Sequence, residues 1–181
     1  MKYIALLRGI NVGSHNRIKM ADLVNIFESL GFEGVKTYLQ SGNVIFESES
    51  TDEAEIIEDI ESKISEMCGF SINTILRTAD KWKSIVYDNP LLKEPNIEFD
   101  KLHVTFLSDT PDQKAVLNLD INKDEFEKFE VFGREIYLYC PNGYGRTKLK
   151  NDVFERKLKI AATTRNWKTV NKLLEMSKLE K

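Results

Sequence analysis

Between Tyr3 and Arg77 the apolar residues change period several times, and the order of those changes constrains the fold more than any other feature of the chain. Tyr3 to Ile10 is an almost unbroken apolar run of strand length. After the polar stretch Asn11 to Arg17, the residues Met20, Leu23, Val24, Phe27 and Leu30 fall at helical spacing, and Gly31 offers a left-handed stop. Gly34 to Tyr38 and Val44 to Phe46 read as short strands joined through Leu39-Gln40-Ser41-Gly42-Asn43, because Gly42 and Asn43 both tolerate left-handed angles. Ser50-x-x-Glu53 is a capping box ahead of Ile56, Ile57, Ile60, Ile64 and Met67; Gly69 ends that helix and Ile72 to Arg77 supplies a fourth strand. The order β-α-β-β-α-β is that of a ferredoxin-like unit, one sheet face lying under two helices.

A second pattern begins after a short helix with Trp82, Ile85 and Val86 and a proline-bearing connection through Pro90 and Pro95. Leu102, Val104 and Phe106 alternate as a strand, with His103 on its other face. Thr110-Pro111-x-Gln113 resembles an N-cap with proline at N1, and Phe126 to Phe132 and Glu135 to Cys140 are strands meeting at Gly133. Two helices follow, one carrying Leu149, Val153, Phe154 and Leu158, the other Trp167, Val170, Leu173 and Leu174. The fold class expected is therefore α+β with two ferredoxin-like, βαββ-type halves: the first βαββαβ, the second βαββ followed by two C-terminal helices. The expected boundaries are residues 1–89 for the first half, a linker at 90–100, and 101–181 for the second half with its basic helices.

Forty-one per cent apolar residues over 181 positions can fill such cores without covalent staples. Cys68 and Cys140 match no C-x-x-C pattern and lie among apolar residues, so they read as reduced core thiols, which fits a cytoplasmic setting. The N-terminal run reaches Arg8 after five apolar residues without a cleavage site, reading as a strand and not a signal peptide; no run approaches the roughly 18 residues of a membrane span. The net charge of −3 conceals a polarised chain. Residues 1–133 hold 14 Lys and Arg against 24 Asp and Glu, a net of −10, whereas residues 134–181 hold 12 against 5, a net of +7. Such asymmetry marks an anion-binding face or halves that attract each other.

Three segments carry groups suited to chemistry. Arg8-Gly9-Ile10-Asn11-Val12-Gly13-Ser14-His15-Asn16 enters the first helix beside Arg17 and Lys19, but it has neither dinucleotide nor P-loop spacing. Gln40-Ser41-Gly42-Asn43 gathers amides and a hydroxyl at a hairpin tip, where turn chemistry alone also accounts for them. Pro141-Asn142-Gly143-Tyr144-Gly145-Arg146-Thr147-Lys148 combines glycines that expose backbone donors, a guanidinium that can grip phosphate, a point charge and an aromatic stacking face. Ala162-Thr163-Thr164-Arg165-Asn166-Trp167 adds hydroxyls and another guanidinium ahead of the last helix. If these last two loops meet, Arg146, Lys148 and Arg165, with Arg156 nearby, form one anion pocket.

Other chemistries fit poorly. The only histidines, His15 and His103, have no cysteine neighbours and no H-x-x-x-H spacing, so no metal and no cofactor is expected. Ser14 and Ser41 lack a nucleophile-elbow setting. The carboxylates from Asp52 to Glu66 read as the solvated side of an amphipathic helix.

The motifs Tyr3-Ile4-Ala5-Leu6-Leu7-Arg8-Gly9-Ile10-Asn11-Val12-Gly13, Tyr38-Leu39-Gln40-Ser41-Gly42-Asn43-Val44, Gly145-Arg146-Thr147-Lys148-Leu149 and Ala162-Thr163-Thr164-Arg165-Asn166-Trp167 together resemble the bacterial family catalogued as domain of unknown function 1697. The resemblance runs nearly end to end and implies an α+β fold with ferredoxin-like parts, and no established activity. Ser14 stands where the family pattern has a second glycine after Gly13.

The leading functional expectation is a cytoplasmic protein that binds an anionic ligand, a nucleotide, a phosphorylated metabolite or an RNA segment, through Tyr144, Arg146, Lys148, Thr163, Thr164 and Arg165. One alternative is a small-molecule enzyme with a pocket of Arg8, Asn11, His15, Gln40 and Asn43, His15 moving the proton, with Ser41 beside them as a further ligand-binding candidate. Another is a self-associating module without a small ligand. No membrane partner is expected, and an oligomer is possible.

Overall fold

The structure is a computed structural model that describes residues 1–178; the last three residues of the expected second half, 179–181, lie outside the described residues. The chain divides into two compact units, Met1–Lys83 with the described residues from Leu173 on, and Ser84–Lys172.

In the first half, β1 (Lys2–Arg8), α1 (Met20–Ser29), β2 (Glu33–Tyr38), β3 (Asn43–Glu47), α2 (Glu53–Cys68) and β4 (Asn73–Thr78) follow in chain order. The sheet order is β2-β3-β1-β4 and every neighbouring pair is antiparallel, with Ile4 opposite both Ile45 and Arg77. Two helices that each carry one strand across the sheet to a parallel position require this split arrangement. Alternation along β1 places Tyr3, Ala5 and Leu7 in a core with Val44, Phe46 and Leu76, closed by Leu23, Ile26 and Phe27 of α1 and Ile56, Ile60 and Ile64 of α2. Phe46 centres an aromatic set: its ring lies 4.6 Å from Phe32 and 5.2 Å, edge-on, from Phe27, each pair adding roughly 0.5–1.5 kcal/mol beyond area burial. Helix α2 is capped by Asp52, whose carboxylate accepts from the N–H groups of Ala54 and Glu55, and not by Ser50 as the capping-box spacing implies. Ser50 instead donates its hydroxyl to Glu55.

Helix α3 (Ala79–Tyr87) and two 3-10 turns, Pro90–Lys93 and Phe99–Lys101, precede the second half. There β5 (Leu102–Leu107), α4 (Gln113–Leu117), β6 (Lys128–Phe132), β7 (Glu135–Tyr139), α5 (Asn151–Leu158) and β8 (Ala162–Asn166) repeat the same order, and α6 (Trp167–Lys178) follows. The sheet order is β6-β7-β5-β8, again antiparallel throughout. Leu107, Ile136, Leu138 and Cys140 from the sheet pack with Leu149, Phe154 and Leu158 in this half's core.

The two-half α+β organisation and the two C-terminal helices agree with the sequence. Between those helices the structure adds β8, which occupies the segment expected to be a helix-entry loop. Its Thr163-Thr164 pair is β-branched and packs well on a pleated surface, and pairing with β5 satisfies a backbone that the polar composition had hidden. Helix α4 is capped by Asp112, whose Oδ1 accepts from the Ala115 N–H, two residues later than Thr110-Pro111 implies.

Candidate functional site

In the first half the loop from Gly9 to Lys19 and the β2–β3 turn are tied to each other. Asn11, in a left-handed conformation at φ 53°, donates from Nδ2 to the carbonyls of Ile18 and Gln40, each at 2.9 Å, and its Oδ1 accepts from the Ile18 N–H. Asn43 is fully buried and donates to the Tyr38 carbonyl at 2.7 Å and to the Ser41 hydroxyl at 3.1 Å. Gly42 sits so close to the loop that an added Cβ would lie 2.6 Å from Cδ1 of Ile10. The amides of Asn11 and Asn43, read from sequence as pocket donors, are therefore committed to backbone carbonyls. Arg8 is half-buried, while Gln40, Ser41 and His15 are exposed.

The second half uses its long loop differently. Between β7 and α5, residues Thr147 and Leu149 turn inward, 4% and 0% exposed, and the Leu149 N–H donates to the Thr147 hydroxyl at 2.9 Å. With those two residues anchored, Arg146, Lys148 and Lys150 are turned to solvent in alternation. Gly143, at φ 87°, makes the tight turn that starts the loop, its N–H donating to the Cys140 carbonyl.

Two adjoining clefts result. One, of about 500 Å³, is lined by Asn122, Lys123, Asp124, Glu127, Asn142, Arg146 and Lys148. The other, of about 480 Å³, has Asn122 and Lys148 in common with the first and adds Lys150, Arg156 and Lys157 together with Asp120 and Asp152. The second cleft is also lined by Ile121, Thr147 and Val153. Six cations thus face four carboxylates. Two of those carboxylates are turned to the backbone: Glu127 accepts from the Asp124 N–H and Asp124 from the Phe126 N–H. Among the described residues none of Arg146, Lys148, Lys150, Arg156 and Lys157 is held in an ion pair. Arg156 and Lys157 occupy the last turn of α5, where the helix dipole favours cations.

The remaining residues singled out in this half lie elsewhere. Arg165 is on β8, 9% exposed, donating from Nη1 to the Thr163 hydroxyl at 2.8 Å and to the Thr164 carbonyl at 3.0 Å. Burial lowers its pKa to about 10, so it stays cationic at neutral pH. It lines neither cleft. Tyr144 stacks one face on His103, with centroids 4.9 Å apart, and its hydroxyl is hydrogen-bonded to Thr164. Thr164 in turn bonds the hydroxyl of Thr105 at 2.7 Å and donates to Asn151 at 2.5 Å. This places Tyr144, Thr164, Thr105 and His103 in one polar cluster under α5. His103 Nδ1, whose proton points to the Lys101 carbonyl, is held in a neutral ring by burial, which lowers its pKa. Cys140 is pushed up to about 11 by burial, which keeps it a protonated thiol.

Sequence reasoning found Arg146, Lys148 and Arg156 but missed Lys150, Lys157 and the wall at 120–124. The alternation of cations with Thr147 and Leu149 is a signal that could have found Lys150. The opposite wall has none, because the fold alone brings it there.

Among the described residues no helix is long and apolar enough to cross a membrane. No curated protein matches the chain. A solved structure, that of the conserved bacterial protein SP0830 from Streptococcus pneumoniae, is similar at 26% identity with a TM-score of 0.76, covering 98% of each chain. The family model described as protein of unknown function (DUF1697) matches residues 1–137, so the motifs at 145–149 and 162–167 fall beyond its span. With that model matching well over half of its length, the chain belongs to the DUF1697 family of proteins of unknown function.

Proposed function

We propose that the protein binds a phosphate-bearing ligand, with an RNA segment or nucleotide as the leading class, in the groove formed by the two clefts of the second half. The observation that carries this reading is the set of cations Arg146, Lys148, Lys150, Arg156 and Lys157 facing shared open space without ion-pair partners among the described residues. Unpaired cations along a groove lower the cost of bringing in a polyanion, and the gain on binding comes largely from released counterions. Lys148 is central, since it lines both clefts. Tyr144 has its face on His103, so binding rests on phosphate contacts more than on base stacking. The element and strand orders support a ferredoxin-like reading of both halves, and the two free thiols support a cytoplasmic setting.

A mobility-shift titration with RNA, DNA and nucleotides at low salt tests the reading. Binding that weakens linearly in log–log form as salt rises supports it. No binding of any of the three at low salt would end it.

A further inference from the structure

Strand β6 is the outer strand of its sheet, paired on one side with β7. The two-residue turn Gly133-Arg134 sets Phe132 opposite Glu135, so Lys128, Glu130 and Phe132 direct their backbone groups to β7. Phe129 and Val131 then turn their N–H and C=O groups to the open edge, while their side chains pack on the helix-side core. The other face of the strand carries Lys128, Glu130 and Phe132, all exposed; just before it comes Phe126. Phe132 and Phe126 are 64% and 65% exposed, an unusual load for an edge strand, where charge or proline ordinarily discourages pairing.

We infer that β6 is the dimerisation edge of this protein, pairing antiparallel with β6 of a second copy about a two-fold axis at Phe129. An isologous strand pair must place edge-facing residues opposite one another, which allows axes at Phe129, Glu130 or Val131. The axis at Glu130 sets that carboxylate against its own copy. The axis at Val131 brings Lys128 opposite Arg134. With the axis at Phe129, Lys128 faces Glu130 of the second copy twice over, and Phe132 lies against the turn that carries Phe126. The Lys128–Glu130 pairs fall at the non-hydrogen-bonded positions, where side chains approach most closely. Lys128 already pairs with Glu94 of its own chain, and its ammonium has further protons for the second carboxylate. The two sheets become one continuous sheet through main-chain bonds. None of the groove cations Arg146, Lys148, Lys150, Arg156 and Lys157 is needed for this contact, so its failure would leave the anion reading untouched.

Sedimentation over a range of protein concentrations tests it. The wild-type protein moves from a 20.9 kDa monomer to a dimer as concentration rises. Glu130→Lys raises the dimer dissociation constant about tenfold or more, as does Lys128→Glu, because each sets like charges opposite one another. Mixing those two variants restores a dimer that neither forms well alone, since each lysine of one then meets a glutamate of the other. Phe132→Lys, an exposed change, weakens association while leaving the melting temperature in place. A wild type that stays monomeric throughout would overturn the inference, as would a Glu130→Lys protein that associates like wild type or a mixture that stays apart.

Discussion

Asn11 in the first half and Lys148 in the second each lie in a loop that leads from a strand into a helix, yet their side chains are used in opposite ways. Asn11 satisfies three backbone groups of its surroundings, whereas Lys148 is held out to solvent by its buried neighbours Thr147 and Leu149. The strand registers match as well: Ile4 faces Arg77 in the first half and Val104 faces Arg165 in the second. Each arginine donates to the carbonyl of the residue before it, at 2.7 Å from Arg77 and 3.0 Å from Arg165. Where the first half packs Tyr3, Ala5 and Leu76 beneath its helices, the second places His103, Thr105 and Thr164 at the matching register positions. One element order therefore supports both a closed, self-satisfied loop and an open, cationic one. The polar character of a loop's residues does not by itself distinguish them.

The contrast breaks most sharply at glycine. Gly42→Ala forces a Cβ into Ile10 and Leu7 at φ 75°, and the expected loss of stability in urea unfolding is about 2–4 kcal/mol. Gly143→Ala, at φ 87° with no atom near the new Cβ, should lose only about 1 kcal/mol. Equal losses would contradict the distinction between a packed and an open loop. Asn11→Ala removes three hydrogen bonds and should cost about 2 kcal/mol. If the amide were instead a ligand donor, the same change would leave unfolding nearly untouched. In the groove, Arg146→Ala and Lys148→Ala should shift stability by no more than about 0.5 kcal/mol while weakening RNA binding, a separation that ordinary anisotropy and melting measurements resolve.

The smallest effect concerns pH. Burial lowers the His103 pKa in the folded protein below its ordinary 6.5, so the unfolded chain takes up the proton first. Stability from this residue is complete above pH 6.5 and is lost as pH falls through the folded value. His103→Phe keeps a ring against Tyr144 and should flatten the fall in melting temperature on acidification; an unchanged slope would assign it to other groups.

Most of the architecture was legible because periodicity survives in apolar residues: Leu23, Ile26 and Phe27 on α1 and Ile56, Ile60 and Ile64 on α2 face one core. Strand β8 was not, since Ala162-Thr163-Thr164-Arg165-Asn166 lacks apolar alternation and its place is set by pairing with β5. The same limit applies to the site. Arg146 and Lys148 were found through their local motif, but Arg165, close to them in composition, belongs to the strand interior, and Asn122 joins them only through folding.

The most direct measurement is the salt dependence of RNA binding by the wild-type protein and by Lys148→Ala, compared on the same plot. The account predicts tight binding at low salt, a steep negative slope, and a slope shallower by about one charge in the variant. Binding that ignores salt, or a Lys148→Ala protein whose line overlays the wild type, would contradict the assignment of the groove.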